Sequence, residues 1–253
     1  MRAKPTICYL CGLALTAPTS NDHVPPKQLY TVAIRKAHNP NLLTIPVHDA
    51  CNRAYQHDED YFANTLAPFA VGSYAGDSFL RDVWLKYAEG EKQGLVGKVL
   101  REFEHAPSGI ALPDHLVAKR FDGNRLHRVA WKIIRGLYFH QYKEVLPEVT
   151  PNSLQIVPPD QVPPKEFLLG LPDHPIHGQY PGVFDYKFAK FPEAQNLNYW
   201  AMLLWDRVIL IMAFHDPTCA CEHCVLLPSR NPAPEAQLDA DVQPTHTNHT
   251  PSR

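Results

Sequence analysis

Apolar positions recur at helical spacing along much of the first 150 residues. Phe79, Leu80, Val83, Trp84 and Tyr87 do so between Asp77 and Gly90, and a shorter pattern follows through Val96, Val99, Leu100 and Phe103. Asp49 to Leu66 reads as a further helix. The clearest helix is Asp122 to Leu146. Its stripe is Leu126, Val129, Ala130, Ile133 and Leu137; Asp122 or Asn124 can cap its start, and Pro147 stops it. The pattern then changes period. Phe184, Tyr186 and Phe188 alternate with Asp185 and Lys187, as in a half-buried strand, and Ala201 to Ala213 supplies one or two fully buried strands. Residues Thr150 to Pro164 are Pro-rich and read as an extended connection. From Leu227 onward large apolar residues almost vanish, which predicts a disordered tail. The expected fold is therefore α+β, in three segments: 1–66, rich in turn signals; 67–226, helical and then β; and the tail 227–253.

The longest apolar stretch, Tyr199 to Phe214, is broken by Asp206 and Arg207 and is shorter than the ~20 residues of a membrane-spanning helix. No membrane association is expected. Met1 to Cys11 carries no apolar run of the kind a secretory leader needs, so the six cysteines are read as thiolates or metal ligands in a cytoplasmic protein. Twenty-five prolines against 12 glycines, in 253 residues, predict short elements and extended connections. The net charge of −2 means that any surface for nucleic acid must be local. Residues 95–143 offer one, with nine Lys or Arg against four Asp or Glu. On the long helix Arg125, Arg128, Lys132 and Arg135 fall in a narrow arc roughly opposite the apolar stripe. They are the candidate contacts to backbone phosphate, although the same line also fits a plain water-facing side.

Cys8 and Cys11 form a C-x2-C pair, and His48 and Cys51 an H-x2-C pair. Two such knuckles can close a tetrahedral Zn2+ site with no open position, which makes the metal structural. Between them lies Asn21-Asp22-His23-Val24-Pro25-Pro26-Lys27, and Asn52 directly follows the last ligand. On a strand Asp22 and His23 point to opposite faces, so one can hold a cation while the other addresses water. A near-neutral imidazole suits the deprotonation of water, and oxygen ligands suit a hard cation.

This arrangement resembles the HNH, or ββα-metal, endonuclease family over about the first quarter of the chain. The resemblance implies a zinc-bound ββα segment that hydrolyses phosphodiester bonds of nucleic acid, DNA being the first candidate, with a 5′-phosphate and a 3′-hydroxyl as products. It casts His23 as general base, Asp22 and Asn52 as ligands of a catalytic Mg2+ or Mn2+, and Asn41 as the residue that orients the base. Proteins of this size and kind often serve in phage defence or in mobile elements. His48 stands where the family usually has cysteine, and Gln56 stands where some members have a third ligand. The neighbouring run His57-Asp58-Glu59-Asp60 is read as a solvated helix face. The alternative function is a non-catalytic zinc module that binds nucleic acid or protein. His215, Cys219, Cys221, His223 and Cys224 are compatible with a second metal, but no partner knuckle is visible and reduced loop thiols are the preferred reading.

Overall fold

A computed structural model describes residues 6–38, 42–159, 161–162, 171, 175–180, 182–191 and 196–221. The chain opens with a knuckle around Cys8–Cys11. Strand β1 (Thr19–His23) then pairs antiparallel with β2 (Thr44–His48), and α1 (Val32–His38) lies in the connection between them. The helix expected over 49–66 is two: α2 (Asp49–Arg53) and α3 (Gln56–Leu66). They are separated because the ladder tightens at Tyr55, whose N–H bonds the Asn52 carbonyl at 3.2 Å.

Helices α4 (Tyr74–Ala88) and α5 (Gln93–Arg101) follow, then a short pair of strands, β3 (Phe103–Glu104) and β4 (Ala118–Lys119). Ser73 caps α4, its side chain accepting from the Gly76 N–H at 3.0 Å. The long helix α6 (Gly123–Tyr142) begins under the Asp122 cap, as expected. It ends before Pro147, because Lys143 takes a left-handed conformation with φ 62° and its N–H bonds the Phe139 carbonyl.

The last part is one five-stranded antiparallel sheet in the order β5-β9-β8-β7-β6, formed by β5 (Asn152–Val157), β6 (His177–Tyr180), β7 (Phe184–Phe191), β8 (Leu197–Leu204) and β9 (Val208–His215). The stretch 150–164 is therefore more than a connector: it contributes the edge strand β5, paired with β9 from Asn152↔Phe214 to Val157↔Ile209. A polar, Pro-flanked segment is the kind a sheet tolerates at its edge. Asp206 and Arg207, which interrupt the apolar run, belong to the β8–β9 turn, where Trp205 and Asp206 have positive φ. Residues from 222 onward, including the expected tail, lie outside the described residues.

The main hydrophobic core runs from Cys8 to Phe214 without a break near residue 66, beside a smaller cluster of Val157, Leu171, Ala189 and Ile211. Its axis is α6, which packs on α3 and on the sheet; the expected stripe is buried, and so are Trp131, Ile134, Tyr138 and Phe139. Trp131 meets Phe214 edge to face at 5.3 Å. Trp205 stacks on Phe79 at 4.5 Å and donates its indole N–H to the Leu29 carbonyl at 3.1 Å, which ties the sheet to the first segment. Among the described residues no helix is long and apolar enough to cross a membrane.

Candidate functional site

The first knuckle is a tight turn. The Cys8 N–H donates to the Leu13 carbonyl and the Gly12 N–H to the Cys8 carbonyl, both at 2.8 Å, and the turn needs glycine at position 12, where φ is +76°. It places Cys8 and Cys11 against the end of β2, where His48 sits, and the first turn of α2, which carries Cys51. The four ligand atoms lie within 4.8 Å of one another, so the group can hold a metal ion, and three sulfurs with one nitrogen make zinc plausible.

His48 Nδ1 is 3.3 Å from Cys11 Sγ, while Nε2 accepts from the Thr16 N–H at 3.1 Å and lies 3.1 Å from the Ala14 carbonyl. Thiol chemistry points the same way. Burial raises the Cys8 pKa, but backbone hydrogen bonds at His48, Cys11 and Leu10 outweigh it, and the thiol is lowered overall. Burial and the charge of Cys8 push Cys51 up to about 12. One thiol is thus favoured and another disfavoured as thiolate, and holding the group together as thiolates calls for a cation.

β1 separates Asp22 from His23 as its pleat dictates. Asp22 faces inward and is 3% exposed. Its Oδ1 accepts from Lys132 Nζ at 2.6 Å, and its Oδ2 accepts from the Tyr9 hydroxyl. Lys132, itself 1% exposed, also donates to Glu59. Burial, then the Asp22 charge, push the Tyr9 hydroxyl well above its usual range; burial raises Glu59 too, against the pull of Lys132. The Asn52 amide nitrogen donates to Ser20 Oγ at 3.1 Å. No cluster among the described residues supports the expected pairing of Asp22 with Asn52 around Mg2+ or Mn2+. An ammonium and a phenol occupy both carboxylate oxygens, and neither metal-compatible cluster found among the described residues includes Asp22. Asn41 lies outside the described residues.

His23 lies on the opposite face of β1, half-buried. Burial lowers its pKa below the ordinary 6.5, helped by the positive charges of Lys27, Lys132 and Arg35 and opposed by Asp22. The imidazole is therefore neutral and basic at neutral pH. Lys27 is exposed, and Arg35 is partly exposed with its Nε lacking a hydrogen-bond partner among the described residues. Immediately after His23, Val24 and Pro25 line a cavity of about 310 Å³ that Leu137, His140, His177 and Tyr186 also line.

The basic line of α6 is engaged within the molecule: Lys132 and Arg135 are buried, while Arg125 and Arg128 stay partly exposed. Arg125 and Arg128 both pair with Asp58, the first at 2.6 Å, and lie over the rings of Tyr61 and Tyr55 at 4.4 and 4.3 Å. Lys132 joins Asp22 to Glu59. Arg135, 2% exposed, donates to the Leu146, Tyr9 and Leu10 carbonyls at 2.9, 3.1 and 2.8 Å. Lys132 and Arg135 thus belong to an internal seam between α6, α3 and the Cys8–Cys11 knuckle, with Arg125 and Arg128 held by Asp58 at its partly exposed edge. The acidic run 57–60 is correspondingly not a free solvated face: Asp58 and Glu59 meet α6, and Asp60 pairs with Lys92 at 2.7 Å. Sequence reasoning missed Lys27 and Arg35 as cations beside His23. Only Lys27 left a trace, at the end of the Val-Pro-Pro-Lys run.

Comparison with protein-family models, with curated proteins and with solved structures finds no match to this chain.

Proposed function

We propose that the protein is a zinc-stabilised nuclease of the HNH type, with His23 as general base and nucleic acid, DNA before RNA, as substrate. The observation that carries this reading is the outward His23, with a depressed pKa and the cations Lys27 and Arg35 within electrostatic reach. A neutral imidazole takes a proton from water as the water attacks phosphorus. The leaving 3′ oxygen departs as the new phosphorus–oxygen bond forms and is protonated from solvent. Lys27 and Arg35 offset the charge that accumulates on the phosphoryl oxygens. Asp22 has a different part from that of a metal ligand: held by Lys132 and Tyr9, it fixes β1, and with it the orientation of His23. No step is assigned to a divalent ion.

The alternative is the non-catalytic zinc module, and the observation that favours it is the closed Asp22–Lys132–Glu59 cluster, which withdraws an acid from the expected site. Incubation of supercoiled plasmid and of single-stranded DNA and RNA with purified protein, with Mg2+, with Mn2+ and with EDTA, separates the two. Cleavage that His23→Ala abolishes supports the nuclease. Binding without cleavage in every condition assigns the module.

A further inference from the structure

We propose that His215, Cys219 and Cys221 form a second zinc site at the end of the five-stranded sheet. His215 is the last residue of β9, held in register opposite Leu197. Beyond it the chain turns back, with the Cys219 N–H bonding the Asp216 carbonyl at 2.9 Å. Asp216 anchors that turn, accepting from Asn198 Nδ2 at 2.9 Å and pairing with Lys190 at 2.7 Å. Its carboxylate holds the turn and leaves ligation to sulfur and nitrogen.

The turn brings two sulfurs to one nitrogen. Cys221 Sγ is 3.1 Å and Cys219 Sγ 3.5 Å from His215 Nδ1, and the three ligand atoms lie within 4.8 Å of one another. A cation between the three atoms can be bound by all of them at once. With metal–sulfur and metal–nitrogen bonds of about 2.3 and about 2.0 Å, a tetrahedral site separates sulfur from nitrogen by roughly 3.5 Å. The corresponding separation in the first cluster is 3.3 Å, also to Nδ1. Two thiolates and an imidazole select a borderline-soft ion, and Zn2+ is the one we assign. The partner for the two cysteines is His215, held at a strand end. Bound zinc would tie the segment through Cys221 to the sheet, with the fourth position left to water or a further ligand.

The test is elemental analysis of the full-length protein, purified under reducing conditions, beside the Cys219→Ser/Cys221→Ser double variant and Cys11→Ser. The expected result is two zinc ions per chain, one in the double variant, and retention of the second zinc in Cys11→Ser. Titration of the metal-stripped protein with Co2+ gives an independent reading: the double variant should lose two of the five cysteine ligands, and with them a matching share of the thiolate charge-transfer absorbance. A stoichiometry that the double variant leaves unchanged overturns the second site, as does a Cys219–Cys221 disulfide in the unreduced protein. One zinc per chain that disappears in the double variant supports the second site and removes the first.

Discussion

His23 and Asp22 are neighbours in sequence with separate roles, and the pleat of β1 is the reason. His23 should behave as a base that is already free at neutral pH. Because its pKa lies below 6.5, activity should be flat above that value and fall as pH drops and the imidazole is protonated. Lys27→Gln removes a positive charge that disfavours protonation, so the acid limb should move to higher pH; a limb that stays in place would disconnect Lys27 from the base. His23→Ala should lose on the order of 10²-fold or more in cleavage rate, with zinc content and melting temperature unchanged. Asp22 calls for a different measurement. Lys132→Met strands the buried Asp22 charge and should cost about 3–5 kcal/mol in urea unfolding. Adding Asp22→Asn should recover part of that loss, since no unpaired charge then remains. If the single variant is as stable as the parent, the buried ion pair does not exist in solution.

At the level of elements, the site depends on how closely α6 approaches β1. Gly136 permits that approach: a Cβ there would stand 2.7 and 2.9 Å from the Val24 methyls and 3.2 Å from the Tyr9 hydroxyl. Gly136→Ala must therefore push Val24, and His23 with it, away from α6. It should lose about 1–3 kcal/mol of stability by overpacking and lower the cleavage rate, and Val24→Ala in the same chain should restore much of both. An unchanged melting temperature in Gly136→Ala would mean that α6 sits farther from β1 than described. Arg135 is the other link between elements, since it holds the knuckle carbonyls of Tyr9 and Leu10 to α6. The Cys8–Cys11 knuckle is thus braced by a helix more than 100 residues away in the chain.

In the whole molecule, the first segment is not an independent unit hung on an accessory region. It shares the core with α6 and with the sheet, through Arg135, Trp205 and the stacked Phe79. Removal of zinc should therefore lower the stability of the entire described fold, because binding energy in the first cluster is coupled to folding. Chelation should shift a single cooperative thermal transition downward. A separate early transition, with the sheet melting at its original temperature, would show that the two parts fold apart.

The sequence by itself determined what is set by near neighbours. The C-x2-C turn, the H-x2-C step across the end of β2, the apolar stripe and cap of α6 and the alternation of β7 all follow from spacing and local backbone geometry. So does the placement of Asp22 and His23 on opposite faces, which requires only that they lie on a strand. What the tertiary structure decided concerns the partners of charged groups. The periodicity of Arg125, Arg128, Lys132 and Arg135 shows that they share one side of a helix, but not whether that side meets water or the acids of α3. Arg125, Arg128 and Lys132 met the acids and Arg135 met backbone carbonyls, because α6 is central and a buried cation must find partners. The same holds for Asp22, whose availability to a metal depended on a lysine 110 residues away, and for His215, which only the pairing of β8 with β9 fixes in place beside the turn that carries Cys219 and Cys221. Local pattern fixes which way a side chain points; long-range packing fixes what it meets there.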